Sequence, residues 1–328
     1  MKFDVIIGNP PYQMDDGGNK NSAKPIYQLF VNQAIKLNPR YLTMIIPSRW
    51  FAGGKGLDDF RKMMLTNHHI SRLVDYSNAK DCFPGISLGG GVCYFLWSRN
   101  DESQCLYTNY HDGIESTRER VLDEYPVFVR YNEALSIIHK IEKKTDKYMS
   151  DVMGGRNPFG FESFVKGDSD SRFEDDCKLF YSGGVGYVRR SDVVKQREII
   201  DDYKVMISRA SAEHAGEPDS GGMFNVLSVV KVLKPNEVCT DSYLIAYSSK
   251  DETEAQNFAK YVCSRFFRFL VLQSVTSISL SKEKFQFVPY FDGETEWNDT
   301  KLYDFFEIAE NEQKYIESLI KEKVPNGD

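Results

Sequence analysis

An α/β sheet followed by a mixed α+β domain is the fold class that this 328-residue sequence predicts. Three observations carry the expectation. The chain opens on Phe3-Asp4-Val5-Ile6-Ile7, a largely apolar run ending at Gly8, which is the pattern of a buried parallel strand. Strand-like and helix-like segments then alternate as far as residue 97. From about residue 104 the pattern changes to short β-like stretches divided by Gly and Asp clusters.

Taken in order, Gln13 to Lys24 is rich in Gly, Asn and Asp and reads as a loop. Residues 25–37 place Ile26, Leu29, Phe30, Ala34 and Leu37 at helical spacing, with Pro25 suited to the first turn and Asn38-Pro39 as the stop. Tyr41 to Ile46 is a second strand, closed by Pro47. Residues 57–66 form a second helix, Ile70 to Tyr76 a third strand and Val92 to Trp97 a fourth. Beyond these, β-like stretches are expected at 104–110, 126–131, 177–181, 186–189 and 224–232, with helical segments at 131–144 and 251–273. Residues 300–323 carry apolar positions largely at helical spacing. They suit a helix pair packed on the domain better than an arm for a partner.

Hydrophobic residues at 41% and charged residues at 27% suit a globular chain. No apolar run approaches the ~20 residues of a membrane span. The first residues lead straight into a strand without a signal-peptide pattern, which predicts a cytoplasmic protein. Six dispersed cysteines and five dispersed histidines show no metal-ligand spacing, so reduced thiols filling apolar space are expected, and no metal site. The net charge of −7 does not exclude DNA: residues 282–328 hold twelve acidic and six basic side chains and so supply −6 of it. The remainder is near neutral and contains basic clusters that can follow a phosphate backbone.

The sharpest feature is Asn9-Pro10-Pro11-Tyr12, directly after the first strand and so at the end of a parallel strand where open α/β sheets place ligands. Methylating an exocyclic amine requires acceptors on its two hydrogens, so that a lone pair otherwise delocalised into the ring can turn toward the donor. A side-chain carbonyl at Asn9 and a main-chain carbonyl at Pro10 can serve. The prolines stiffen the turn, and Tyr12 offers a face on which an everted base can stack. The same tetrapeptide also suits a plain tight turn.

Asp4 to Gln13 resembles the catalytic motif of the N6-adenine DNA methyltransferases of bacterial restriction–modification systems, and is closest to the class with a C-terminal target-recognition domain. Tyr41-Leu42-Thr43-Met44-Ile45-Ile46-Pro47-Ser48-Arg49-Trp50 is similar to that family's next strand. Phe83-Pro84-Gly85-Ile86 followed by Gly90 to Leu96 resembles its motif for the far side of the base pocket. The resemblance implies a partial Rossmann-like methyltransferase sheet over residues 1–110 and an α+β target-recognition domain with C-terminal helices over 111–328. It implies catalytic roles for Asn9, Pro10, Pro11 and Tyr12, with Phe83 stacking opposite Tyr12; an ordinary core aromatic is the other reading of Phe83. S-adenosylmethionine is the implied methyl donor, with Asn9 making only a partial contribution to its binding.

The departure concerns that donor. Its Gly-rich loop normally precedes the catalytic motif, yet only eight residues precede Asn9 here. Ser182-Gly183-Gly184-Val185-Gly186-Tyr187 continues without a helix start and reads as a β-turn. Gly53-Gly54-Lys55-Gly56 and Gly89–Gly91 fail similarly, although Lys55 is a candidate phosphate contact. The expectation is a chain with little activity alone, either truncated or one part of a split enzyme whose other chain supplies the cofactor-binding half, and with a bare hydrophobic edge on its first strand.

Double-stranded DNA is the implied substrate. Arg156, within Arg156-Asn157-Pro158-Phe159-Gly160, falls at a recognition-domain landmark. Arg189, Arg190, Lys195 and Arg197, with Lys204 and Arg209, cluster among Tyr187 and Tyr203. The cluster is either a DNA face or a solvated surface paired with Asp192, Glu198, Asp201 and Asp202. Two rival functions stand beside methylation of DNA: a DNA-binding specificity module with a vestigial pocket, and a methylase acting on RNA or a protein amide.

Overall fold

The structure, a computed structural model, describes residues 3–14, 24–51, 56–85, 88, 90–111, 113–212, 218–219, 221–275 and 279–326. The chain divides into two compact units, 1–135 and 136–328.

The first unit contains β1 (Val5–Gly8), β2 (Gln13–Met14), β3 (Lys24–Pro25), α1 (Tyr27–Lys36), β4 (Tyr41–Pro47), α2 (Asp58–Leu65), β5 (Ile70–Tyr76), β6 (Val92–Ser98), β7 (Cys105–His111) and β8 (Ile114–Arg120). Six of the strands form one mixed sheet in the order β1-β4-β6-β5-β7-β8. β1 runs parallel to β4 and β5 parallel to β7, whereas β6 is antiparallel to both its neighbours. The period-2 alternation of β4–β7 sends Leu42, Met44, Ile46, Leu73, Phe95, Trp97 and Tyr107 to one face. There they pack with Tyr27, Val31 and Ala34 of α1 and Phe60, Met64 and Leu65 of α2. The register puts Val5, Ile7, Tyr41 and Tyr94 on the opposite face, and all four are exposed.

Several expectations need correction here. β1 is parallel, as its composition suggests, but it is not buried: Val5 is 51% and Ile7 78% exposed, and only Ile6 joins the core. The reason is that the Val5 and Ile7 side chains point to the face of the sheet opposite α1 and α2, which also leaves Tyr41 and Tyr94 exposed, and that β1 pairs with β4 alone. Pro25 does not open α1; it bridges to Gln13, and Ile26 takes the N-cap position. Residues 126–131 form no strand. Phe128, Val129 and Tyr131 instead fill the core from an irregular segment. The strand Ile114–Arg120 hairpins onto β7, so the sheet extends past residue 110.

A helix α3 (Asn132–Glu142) spans the division between the units. The second unit continues with α4 (Met149–Val152), β9 (Cys177–Tyr181), β10 (Gly184–Val188), β11 (Tyr203–Ser208), β12 (Val230–Leu233), β13 (Glu237–Cys239) and β14 (Tyr243–Ser249). They make two three-stranded sheets, ordered β10-β9-β13 and β12-β11-β14. Four helices follow: α5 (Glu252–Cys263), α6 (Arg265–Leu272), α7 (Asp299–Phe305) and α8 (Glu310–Leu319). The single helical segment expected over 251–273 is two helices broken at Ser264, whose hydroxyl accepts from the Phe267 N–H at 3.1 Å and starts the second. Arg268 is fully buried and fastens the chain, donating to the carbonyls of Cys263, Asn225 and Lys321. No helix among the described residues is long and apolar enough to cross a membrane.

Candidate functional site

β1 delivers Asn9 to the end of the sheet. At Gly8 an added Cβ would lie 3.3 Å from Met44 Cε, so the glycine lets β1 lie tight against β4 as it ends. Asn9 and Pro11 are exposed, Pro10 is buried and Tyr12 half-buried. The turn is anchored to the start of α1: the Ile26 N–H donates to the Tyr12 carbonyl at 3.2 Å, and β2 pairs with β3 immediately after. No hydrogen bond among the described residues engages the Asn9 carboxamide or the Pro10 carbonyl.

Burial pushes the Tyr12 hydroxyl above its ordinary pKa, and the thiols of Cys82 and Cys93 beside it add to the rise. Tyr12 is therefore within electrostatic reach of Cys93 on β6 and of Cys82, the residue before Phe83. That segment follows β5 through a short 3₁₀ turn, Ala79–Asp81, capped by Asn78, whose side chain accepts from the Lys80 N–H at 3.1 Å. The Phe83 N–H closes the turn on the Ala79 carbonyl at 2.8 Å. Phe83 is half-buried, and its ring makes no direct contact with that of Tyr12. Ser48 at the end of β4 donates its N–H to the Gly91 carbonyl at 3.0 Å.

The basic residues lie in different settings. Lys55 lies outside the described residues, as do Gly53, Gly54 and Gly89. Arg156 pairs with Asp241 at 2.6 Å, and Arg209 reaches the same carboxylate at 3.4 Å. Burial disfavours the Asp241 carboxylate, but the Arg156 hydrogen bond and the Arg209 charge outweigh it and lower its pKa. Arg190 grips Asp201 with both terminal nitrogens, at 2.7 and 2.5 Å. Arg189 lies over the Phe173 ring, 4.7 Å from its centroid. Lys195 and Arg197 are exposed on either side of Gln196, which adopts a left-handed backbone with φ 44°. Lys204 does not belong to the surface: it is fully buried, and its ammonium donates to the carbonyls of Ile200, Asp202 and Lys234. Burial holds its pKa down to about 8.

Two of the glycine segments lie wholly or mostly among the described residues. Ser182–Tyr187 is the turn and second strand of the β9–β10 hairpin, with Gly184 opposite Tyr181. Gly91 packs against the Tyr76 carbonyl and the Arg130 guanidinium. Neither leads from a strand into a helix N-terminus that could face a charged ligand.

Sequence reasoning missed Asp75 and Arg130. Asp75 is fully buried on the core side of β5 and accepts two hydrogen bonds from Arg130, at 2.6 and 2.8 Å. The available signal was a carboxylate inside the apolar strand Ile70–Tyr76, since buried charges are rare unless paired.

Residues 1–83 match the family of Eco57I restriction-modification methylases. Over 109 residues, 32% of this chain, the sequence is 44% identical to an uncharacterized adenine-specific methylase of Mycoplasma pneumoniae. The chain spans 26% of the length of that relative. Among solved structures, it is similar to the type IIG restriction endonuclease BpuSI, at 11% identity and a TM-score of 0.40 over 93% of this chain and 48% of that one. It is also similar to the type IIL restriction-modification enzyme MmeI, at 10% identity and a TM-score of 0.43 over 84% and 45% of the respective chains. The N-terminal part of this chain is thus homologous, at the level of family, to the adenine methyltransferases of restriction–modification systems.

Proposed function

We propose that this chain forms the base-holding and DNA-reading part of a site-specific adenine-N6 DNA methyltransferase, completed by a cofactor-binding half. The observation that carries the reading is the corner at the end of β1. There the Asn9 carboxamide and the Pro10 carbonyl are both free to accept. An everted adenine presents two N6 hydrogens, and these two oxygens would take one each. With both hydrogens held, the nitrogen lone pair leaves conjugation and becomes nucleophilic. Tyr12 and Phe83, separated rather than stacked on each other, would flank the ring, and each such stack is worth ~1–3 kcal/mol. Pro10 and Pro11 hold the corner at fixed φ, so catalysis rests on positioning.

S-adenosylmethionine is the donor the family uses, and the described glycine segments offer no cradle for it. Among the described residues β1 pairs with β4 alone, so its other edge can take a strand of the cofactor-binding half. The test is to mix the chain with a fragment from the same locus carrying a strand, glycine turn and helix. Complex formation and methyl transfer to DNA are expected; the absence of both rejects the split-enzyme reading.

That the described glycine segments offer no cradle equally favours a second reading, a DNA-binding specificity module with no catalysis of its own. Calorimetry with S-adenosylmethionine on the mixed chains, beside DNA binding at two salt concentrations, separates the two. DNA binding without cofactor affinity selects the module.

A further inference from the structure

We propose that Asp75 is a positioning residue that fixes the walls of the base pocket through one buried hydrogen-bond network. The inference rests on the adenine-pocket reading above and adds a residue that does not touch the base.

Asp75 faces the core side of β5 and is wholly removed from water. A carboxylate in that place is costly unless its lone pairs are satisfied, and here five donors converge on it. Oδ1 accepts from Ser48 Oγ at 2.6 Å and Arg130 Nη2 at 2.8 Å. Oδ2 accepts from Arg130 Nε at 2.6 Å, Asn109 Nδ2 at 2.8 Å and the Tyr107 hydroxyl at 3.3 Å. The two Arg130 bonds form a bidentate fork, which fixes direction as well as distance.

The donors come from three segments, the turn after β4, β7 and the 126–131 segment, and two of them reach on to the segments around Tyr12 and Phe83. Ser48 starts the turn after β4, and its own N–H holds Gly91. Arg130 Nη2 also donates to the Tyr76 carbonyl at 3.4 Å, at the root of the segment that runs to Phe83. Gly91 leaves no room for a side chain: a Cβ would lie 2.1 Å from the Tyr76 oxygen and 2.7 Å from Arg130 Nη2. Across the sheet Asp75 is in register with Cys93, one of the two thiols beside Tyr12. One carboxylate therefore ties together the start of the Ser48–Phe51 turn, the root of the Ser77–Phe83 segment and the Gly90–Gly91 approach to β6. A core needing only stability is served as well by apolar residues of the same volume. A saturated polar hub adds a defined geometry, and a misplaced wall is costly to a site that works by positioning.

The test uses the chain itself and a short duplex carrying 2-aminopurine opposite an abasic site, so that eversion of the fluorescent base costs little. The variants are Asp75→Asn, Ser48→Ala, which removes a single bond, and Tyr12→Ala. With Asp75→Asn, the fluorescence rise at saturating protein should fall about tenfold while duplex affinity stays within about twofold. Amide exchange should quicken about tenfold in Ser48–Phe51 and Ser77–Phe83 but not in the central strands β4 and β6. Ser48→Ala, which keeps the ion pair, should shift both readouts the same way by less, and decides the matter if Asp75→Asn does not fold. If Tyr12→Ala abolishes the rise while Asp75→Asn and Ser48→Ala leave it and the exchange unchanged, the Asp75 proposal is overturned. Exchange that quickens uniformly across the unit also overturns it, because that is the mark of a merely structural role. A wild-type chain that binds the duplex with no fluorescence rise refutes the pocket reading, and the Asp75 proposal falls with it.

Discussion

Replacing Lys195 and Arg197 together by alanine is the sharpest test of the proposed DNA-reading surface. These two cations are exposed on a turn and have no ion-pair partner among the described residues, whereas Arg156 and Arg190 already hold carboxylates. Each phosphate neutralised contributes about 0.9 to the slope of log affinity against log salt. The double variant should therefore flatten the slope by about 1.8, which makes its affinity deficit about tenfold larger at 50 mM than at 200 mM salt. Arg190→Ala should change the slope by less than about 0.5, because Arg190 and Asp201 together present little net charge to a phosphate. Fluorescence anisotropy of a labelled duplex over that salt range measures both. An unchanged slope in the double variant, or an equal flattening by Arg190→Ala, would refute the assignment.

Two further predictions concern stability. Gly91→Ala should destabilise the first unit by about 3 kcal/mol or more, since φ is +83° and the Cβ would collide with the Tyr76 carbonyl. Gly113→Ala, at φ +77° in open space, should cost only about 1 kcal/mol, and urea unfolding compares the two. The second prediction is an alkaline loss of stability. Burial pushes the thiols of Cys93 and Cys105 up to about 12 and that of Cys263 to about 11, against about 8.5 in an unfolded chain. The folded chain then keeps protons that the unfolded chain sheds, so stability is undiminished below about pH 8.5 and falls above it. Lys204, held down to about 8, opposes this with one proton between about pH 8 and 10, which leaves a net decline. Cys105→Ala should flatten the decline by up to about 1.4 kcal/mol per pH unit in reducing buffer. A rising profile contradicts the burial of these thiols.

The strands β4 and β6 were legible because each is a largely apolar run, and β5 because Ile70, Leu73, Val74 and Tyr76 lie between polar turns. β8 was not: Ile114–Arg120 is a polar edge strand, and its composition is that of a loop. β11 was hidden by Lys204, whose charge suggested a surface although its stem crosses the core and its amine folds back on main-chain carbonyls. The apolar run of β1 identified a strand but not its edge position, because that depends on which neighbours are present rather than on its own residues. At the candidate site, Asn9 to Tyr12 was readable since the whole motif is local. Asp75 carried a weak signal and Arg130, 55 residues further along, carried none, because their pairing exists only once β5 and the 126–131 segment meet in space. The same limit applies to the basic residues: the sequence offered Asp201 as one of four nearby acids, which the fold pairs with Arg190, whereas Asp241, 85 residues beyond Arg156, was assigned only by the fold.

Transfer of labelled methyl from S-adenosylmethionine to duplex DNA, by this chain combined with a loop-bearing fragment from the same locus, bears most directly on the proposed base-holding corner. The isolated chain should label nothing and the combination should label adenine at N6. Asn9→Ala in that combination should reduce transfer by about 10²–10³-fold with DNA affinity retained. Undiminished transfer by the Asn9→Ala protein would mean that the amine is held elsewhere.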